Sequence, residues 1–159
     1  MASLMEVLID VLEQENQEYE KLLSLSMQKT SVIVSEDLAE LTRITDEEQI
    51  IVSRINHLDH KRDEAVNDIA DVLNKDVDKL KIVDLIKMLA ARPEEQEKLA
   101  IVFDKLKESV RGVKRVNEQN RELIRNALEL VQFNMNVLQA MNKAPESANY
   151  NRGAYNTGD

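Results

Sequence analysis

The histidines of one predicted helix are the residues best suited to metal chemistry in this chain. His57 and His60 lie three residues apart, and Glu64 follows near the same helical face. Imidazole and carboxylate groups are ligands of zinc and iron, so a metal site is one hypothesis. A di-metal helical bundle, however, needs Glu-x-x-His pairs that project inward, and the sequence contains none. Both histidines also fall outside the heptad seam of their helix, so we expect solvent-facing side chains and no bound metal.

The residues needed for covalent catalysis are missing as well. The chain has no cysteine and 3 glycines, and its serines lie on or between predicted helices. Acyl and phosphoryl transfer depend on an activated nucleophile or a glycine-rich phosphate loop, and neither pattern occurs. We therefore predict that the protein is not an enzyme and needs no cofactor. The lack of cysteine, of a basic leader and of a long apolar run predicts a cytoplasmic protein without membrane insertion.

Polar residues in the apolar seams have two interpretations. Glu15, Glu48 and Arg62 occupy positions where a helical bundle normally has apolar side chains, and Asn120 does the same on the last helix. They either pair with one another to fix the register of the helices or form a pocket for a partner. The pattern favours the register interpretation.

Four helical stretches must position these residues. The first covers residues 3–34, and Ser35 is predicted to cap the second, which keeps strict 3-4 spacing to residue 69. A shorter helix is predicted over 77–91. Pro93 opens the last stretch, which has a continuous 3-4 pattern over 99–141.

A seam that repeats every seven residues is buried only against other helices, so the predicted fold class is all-α. We expect an elongated, antiparallel, coiled-coil-like three-helix bundle with a short connecting helix. The bundle is predicted to occupy residues 1–142. Residues 143–159, with Pro145 and several Asn and Gly, are predicted to form a disordered tail.

The charge distribution bears on possible partners. The net charge of -9 opposes binding to phosphate backbones, and no aromatic residues are interleaved with the bases, so we expect no nucleic-acid partner. Acidic residues are concentrated in 6–20 and basic residues in 105–125. We expect these two segments to lie side by side and to set the pairing of their helices.

Residues 126–141 are apolar beyond the needs of one seam. Leu128 and Met135 lie off the seam, so two neighbouring helices would not cover this stretch completely. A partner helix, a second copy of the chain, or a fully packed bundle end would each account for the pattern. The predicted partner-binding residues are Leu128, Leu130, Val131, Phe133, Met135, Val137, Leu138 and Met141.

A few polar residues occur in a characteristic order among the heptad positions: an early Glu-Tyr-Leu-Leu set, a Glu and then an Arg on the second helix, and an Asn-rich last helix. The residues that form this combination are Leu12, Glu15, Tyr19, Leu22, Leu23, Lys29, Leu38, Leu41, Ile44, Glu48, Ile55, Leu58, Arg62, Asn117, Asn120, Leu123, Ala127, Leu130 and Leu138. Through them, over residues 4–142, the chain resembles the FlgN family of flagellar type III export chaperones.

The resemblance implies a cytoplasmic chaperone that binds the C-terminal helical segments of hook-filament junction proteins, also called hook-associated proteins. It would prevent their premature assembly and deliver them to the flagellar export gate. Substrate binding would fall on residues 126–141. Some members contact the gate through a Tyr near this region, where the nearest candidates here are Phe133, Tyr150 and Tyr155. The alternative function is a structural or adaptor coiled coil that forms a homo-oligomer through the same face.

Overall fold

The computed structural model describes the backbone of residues 2–149 and the side chains of residues 4–142. No strand occurs in this part of the chain, and the all-α prediction is confirmed. The elements are α1 (Ala2–Ser35), α2 (Leu38–Leu73), a 3-10 turn (Val77–Lys79), α3 (Ile82–Met88) and α4 (Pro93–Asn149).

The last helix is continuous over 99–141 and begins at Pro93, as the sequence predicted. Its backbone remains helical through residues 143–149, where the predicted tail begins. Residues 150–159 of that predicted tail lie outside the described residues.

A tight turn joins α1 to α2 and makes them antiparallel. Glu36 adopts a left-handed conformation with φ 60° and ends α1. Asp37, in extended conformation, then accepts a hydrogen bond from the Glu40 backbone N–H at 3.1 Å and caps α2. The prediction that Ser35 caps α2 is wrong, because Ser35 is the last residue of α1 and its hydroxyl donates to the Val32 carbonyl.

The connection between α2 and α4 is more broken than the sequence predicted. Asn74, with φ 54°, ends α2 between the predicted seam, which stops at residue 69, and the helix predicted over 77–91. The single helix predicted over 77–91 is wrong: a 3-10 turn comes first, and Leu80 is extended before α3 begins. The Asp84 carboxylate accepts from the Lys81 backbone N–H at 3.0 Å, and this contact starts the new helix.

Helix α4 runs parallel to α1 within the first of two units into which the chain divides, the one ending at Asn120. Asn16 of α1 contacts Ser109 of α4, and Ser26, further along α1, contacts Asn120, further along α4. Since α2 is antiparallel to α1, the first unit is a three-helix bundle, as predicted.

Apolar seams hold this bundle together. Each fully buried large aliphatic side chain contributes about 1.5–3 kcal/mol to folding. One cluster joins all four helices, and a second joins α1, α2 and α4 further along. The first includes Met5, Leu8, Leu12, Ala65, Ile69, Leu85, Leu99, Val102 and Leu106, and the second includes Leu22, Leu25, Ile44, Ile51, Ile55 and Val113.

The single glycine of α4 lies where two helices approach closely. A Cβ placed on Gly112 would lie 3.1 Å from the Leu23 side chain of α1. A side chain at this position therefore requires the end of the Leu23 side chain to shift by a few tenths of an ångström, which the heptad pattern alone does not reveal.

The acidic and basic segments lie near each other without direct pairing. Glu13 and Glu20 of α1 line a shallow groove together with Lys98 and Lys105 of α4. Among the described side chains, the ion pairs that the acidic segment makes with another helix go to α2, for example from Glu18 to an arginine. The prediction that opposite charges on α1 and α4 set their pairing is therefore not supported, and the apolar seams account for it.

Candidate protein-binding face on α4

The residues predicted to bind a partner are exposed along one stretch of α4. Their exposed fractions range from 39% for Val137 to 64% for Leu128, and Phe133 is 62% exposed. Residues of the same types are buried on the bundle section of this helix, where Leu99 and Val102 are 0% and 5% exposed. We call the exposed set the apolar face; its members are Leu128, Leu130, Val131, Phe133, Met135, Val137, Leu138 and Met141.

Glu129, Gln132, Asn136 and Gln139 lie on the remaining side of the helix, whereas Asn126 and Asn134 lie among the apolar positions. Arg125 donates to Glu122 at 3.0 Å, and Gln132 donates to Asn136 at 3.2 Å. These groups bind one another along the helix, and Glu129 is the single charge in residues 126–141. The apolar face is thus uncharged over its whole length, which lowers the cost of removing it from water.

A buried carboxyl on α1 lies against α2. Glu15 is 0% exposed and lies 3.5 Å from the Arg62 guanidinium of α2. Neither oxygen of Glu15 has a hydrogen-bond partner among the described side chains. Burial raises the pKa of Glu15 to about 8. The nearby Asp59 carboxyl also raises this pKa, and the Arg62 guanidinium lowers it. Of the polar seam residues that were expected to pair with one another, Glu15 and Arg62 are in contact.

A polar layer crosses the bundle where Glu48 of α2 and Asn120 of α4 meet α1. Glu48 of α2 accepts from Lys29 at 2.9 Å and from the Ser26 hydroxyl at 3.1 Å. Asn120 of α4 donates to the Ser26 backbone carbonyl at 2.9 Å and contacts Thr30 at 2.5 Å. The sequence identified Glu48 and Asn120 as seam residues but assigned them the wrong partners, since the partners lie on α1.

Three members of this layer, Ser26, Lys29 and Thr30, were only partly predictable from the sequence. Ser26 lies on the seam of α1, and Lys29 and Thr30 lie three and four residues further along, beside it on the helix surface. A polar seam residue flanked at this spacing by further polar residues was the available signal. These groups bind one another across the bundle, which favours the interpretation that they set register over the interpretation that they form a pocket.

The candidate metal ligands do not come together in a site. His57 and His60 are exposed on α2, off its buried seam, as the sequence predicted. Within the part of the chain that the structure describes, no cluster of three or more potential ligands occurs. The described helices also include none with the length and apolarity for crossing a bilayer.

A helical bundle with an uncharged, exposed apolar face on one helix has the geometry of a protein-binding module. The sequence profile of the FlgN family, described as FlgN protein, matches residues 1–157. The chain therefore belongs to the FlgN family, which is a family of flagellar export chaperones. Comparisons with curated proteins and with solved structures gave no match.

Proposed function

We propose that this protein is a cytoplasmic chaperone that binds the C-terminal helical segments of hook-associated proteins through the apolar face of α4. The observation that carries the proposal is the exposure of this face on a helix that buries the same residue types elsewhere. Family membership supports the flagellar context. Exposed apolar patches of this kind mark interaction sites, because leaving them in water costs free energy.

Binding would proceed by coupled folding. A disordered amphipathic segment of the client packs as helix against the apolar face and loses conformational entropy, while apolar surface on both partners is buried. The covered client surface is then unable to polymerise before export. Met135 and Met141 suit this role, since unbranched thioether side chains adapt to varied partner surfaces.

Release needs no covalent step. A complex held by apolar contacts dissociates when the export gate competes for the client or for the chaperone. We propose that the chaperone carries the client to that gate. Phe133, one aromatic candidate for the gate contact, lies on the face that the client would cover, and Tyr150 and Tyr155, the other candidates, lie outside the described residues.

Charge placed on the apolar face tests the proposal. We expect the double variant Val131→Glu, Met135→Glu to lose roughly a hundredfold or more in affinity, because each carboxylate would be desolvated in the complex. The measurement is calorimetric titration with the purified C-terminal segment of a hook-associated protein from the same bacterium. Thermal melting of the variant checks that the bundle is intact.

A matched control comes from the polar side of the same helix. Gln132→Glu, Asn136→Glu adds equal charge within the same turns, and we expect affinity within about threefold of the wild type. Equal affinity of the wild type and the folded Val131→Glu, Met135→Glu variant would contradict the assignment of this face.

Self-association through the same face is the competing outcome. In that case the free protein is an oligomer, and Val131→Glu, Met135→Glu converts it to a monomer without affecting client binding. Sedimentation velocity of the wild type and the variant, at the concentrations of the titration, distinguishes the two functions.

A further inference from the structure

The basic segment of α4 borders a groove between α2 and α4, and we infer that this groove docks an acidic, amphipathic helix of a protein partner. The α2–α4 groove lies within residues 1–120 and shares no residue with the apolar face. The inference is independent of the proposed client binding. It gives a role to the bases of α4, which do not pair with the acidic segment of α1.

The α2–α4 groove has an apolar floor. Its volume is about 370 Å³, and Tyr19 of α1 and Leu106 of α4 lie among its lining residues. Phe103 and Val110 of α4 line it as well, and both are only partly buried by the bundle. Apolar side chains of a docked helix would therefore find apolar surface that the chain itself leaves partly in water.

The sides of the groove are mostly basic. Arg62 of α2 and Lys107 and Arg111 of α4 line it, and Asp59 of α2 is the acidic member of the lining. Lys107 lies 3.9 Å from Asp104 of its own helix, a long contact between exposed groups. These bases thus retain most of their charge for a partner.

Arg62 has hydrogen-bond donors available to a ligand. Its guanidinium lies 3.5 Å from Glu15 and 3.4 Å from Asp59, whereas charge-assisted hydrogen bonds are about 2.7–2.9 Å long. Glu15 is buried and its pKa is raised to about 8, so at neutral pH it leaves the charge of Arg62 uncompensated. A carboxylate in the groove would accept hydrogen bonds from this guanidinium, which is 33% exposed.

The spacing of the lining residues on α4 fits a helical partner. Phe103, Lys107, Val110 and Lys114 alternate at intervals of four and three residues, so they form a second seam beside the buried one. On α2, Val52 precedes Asp59 by seven residues, lies on the same side of that helix and is 43% exposed. Charges that flank a helical seam select partner helices of opposite charge, so the seam favours an acidic helix.

The groove between α1 and α4 is the like-for-like comparison. There Lys98 and Lys105, seven residues apart, line one groove together with Glu13 and Glu20 of α1. Lys107 and Lys114 are also seven residues apart, but among the described side chains no ion pair or hydrogen bond joins α4 to α2. The chain therefore supplies acids beside one pair of lysines and leaves the other pair for a partner.

A protein helix fits the groove better than a nucleic acid does. The Lys107 ammonium lies 4.8 Å from the centroid of the Phe103 ring and occupies a ring face on which a base would stack. The net charge of -9 repels a phosphate backbone as a whole, whereas a short acidic helix meets mainly the local charge. Residues 103–115 have that local excess of bases: Lys105, Lys107, Arg111, Lys114 and Arg115 against Asp104 and Glu108.

Two designed peptides test the inference on the full-length protein. The probe is a helical peptide of about three heptads with Leu at seam positions and Glu at flanking positions, and its neutral counterpart has Gln in place of Glu. In calorimetric titrations at low salt we expect the acidic peptide to bind at least about fivefold more tightly than the neutral one. Added salt should reduce this difference.

A pair of matched double variants locates the interaction. We expect Lys107→Gln, Lys114→Gln to weaken binding of the acidic peptide at least about fivefold, because it removes the bases of the second seam. Lys98→Gln, Lys105→Gln removes equal charge at equal spacing beside α1 and should bind within about twofold of the wild type. Thermal melting checks that both bundles are intact, and amide chemical shifts in NMR spectra report the contact site, which should include Val52 and Val110.

Each result supports or overturns the inference. Selective loss in Lys107→Gln, Lys114→Gln, with shift changes at Val52 and Val110, supports it. Equal loss in both double variants indicates general attraction of charge and overturns it. Shift changes confined to residues 121–142, absence of saturable binding, or tighter binding of a single-stranded DNA oligonucleotide than of the acidic peptide would also overturn it. None of these results contradicts the proposed binding of the client to the apolar face.

Discussion

Two sections of one helix, α4, have the same pattern of residues and opposite environments. Leu99, Val102 and Leu106 are nearly or fully buried, whereas Leu130 and Val137, on the same seam, are exposed. A heptad pattern therefore specifies that a surface is suited to burial without specifying which partner buries it. In the first section the partners belong to the same chain, and in the second we propose that they belong to a client.

Truncation of leucines in the two sections should have the most unequal effects on stability. We expect Leu99→Ala to lower the free energy of unfolding by about 2–5 kcal/mol, because it leaves a cavity in the cluster joining the helices. Leu130→Ala, on the exposed section, should change it by less than about 0.5 kcal/mol. Urea unfolding followed by circular dichroism measures both. A comparable loss in Leu130→Ala would show that its section contributes to the folded core of the free protein.

The bundle should also have a pH dependence of stability that originates at Glu15. Its pKa is raised in the folded state from 4.5 to about 8, so between these values the folded protein binds more protons here than the unfolded chain does. The stabilisation due to the proton is complete below about pH 4.5 and is lost as pH rises through about 8.

Glu15→Gln should remove this dependence. We expect the variant to resemble the wild type near pH 5 and to be more stable at pH 8.5 by on the order of 4 kcal/mol. Urea unfolding at both pH values gives the difference, and Glu13→Gln, at an exposed position of α1, is the matched control. An equal difference between variant and wild type at both pH values would mean that Glu15 does not titrate in this range.

The smallest expected effect concerns the close contact at Gly112. Alanine is favoured over glycine within a helix by about 1 kcal/mol, but its Cβ would lie 3.1 Å from the Leu23 side chain. Since Leu23 is only partly buried, its flexible end can shift, and we expect Gly112→Ala to stabilise the bundle by less than about 1 kcal/mol. A lower melting temperature would show that the α1–α4 spacing does not relax.

The fold was predictable because it depends on periodicity. The helical seams and the start of the last helix at Pro93 follow from spacing and residue type. The capping residue of α2 next to Ser35 and the interruption at Leu80 were not predictable, because several neighbouring residues there are suitable helix caps. The partners of Glu48 and Asn120 also depended on the relative axial position of the helices, which no single helix encodes.

The sequence predicted which residues form the candidate site, but it did not predict that they are left uncovered by the rest of the chain. The excess of apolar residues over 126–141 was visible in the sequence, and the structure shows these side chains exposed. The sequence did not show that α4 is covered only as far as its bundle section, because residues on both sections follow one pattern.

Cysteine labelling tests the central claim most directly, since the chain contains no native cysteine. Met135→Cys should react rapidly with iodoacetamide in the free protein and at least about tenfold more slowly when saturated with the hook-associated protein segment. Gln132→Cys, on the polar side of the same turn, should react at the same rate with and without the client. Unchanged labelling of Met135→Cys in the saturated complex would contradict the claim that the apolar face of α4 binds the client.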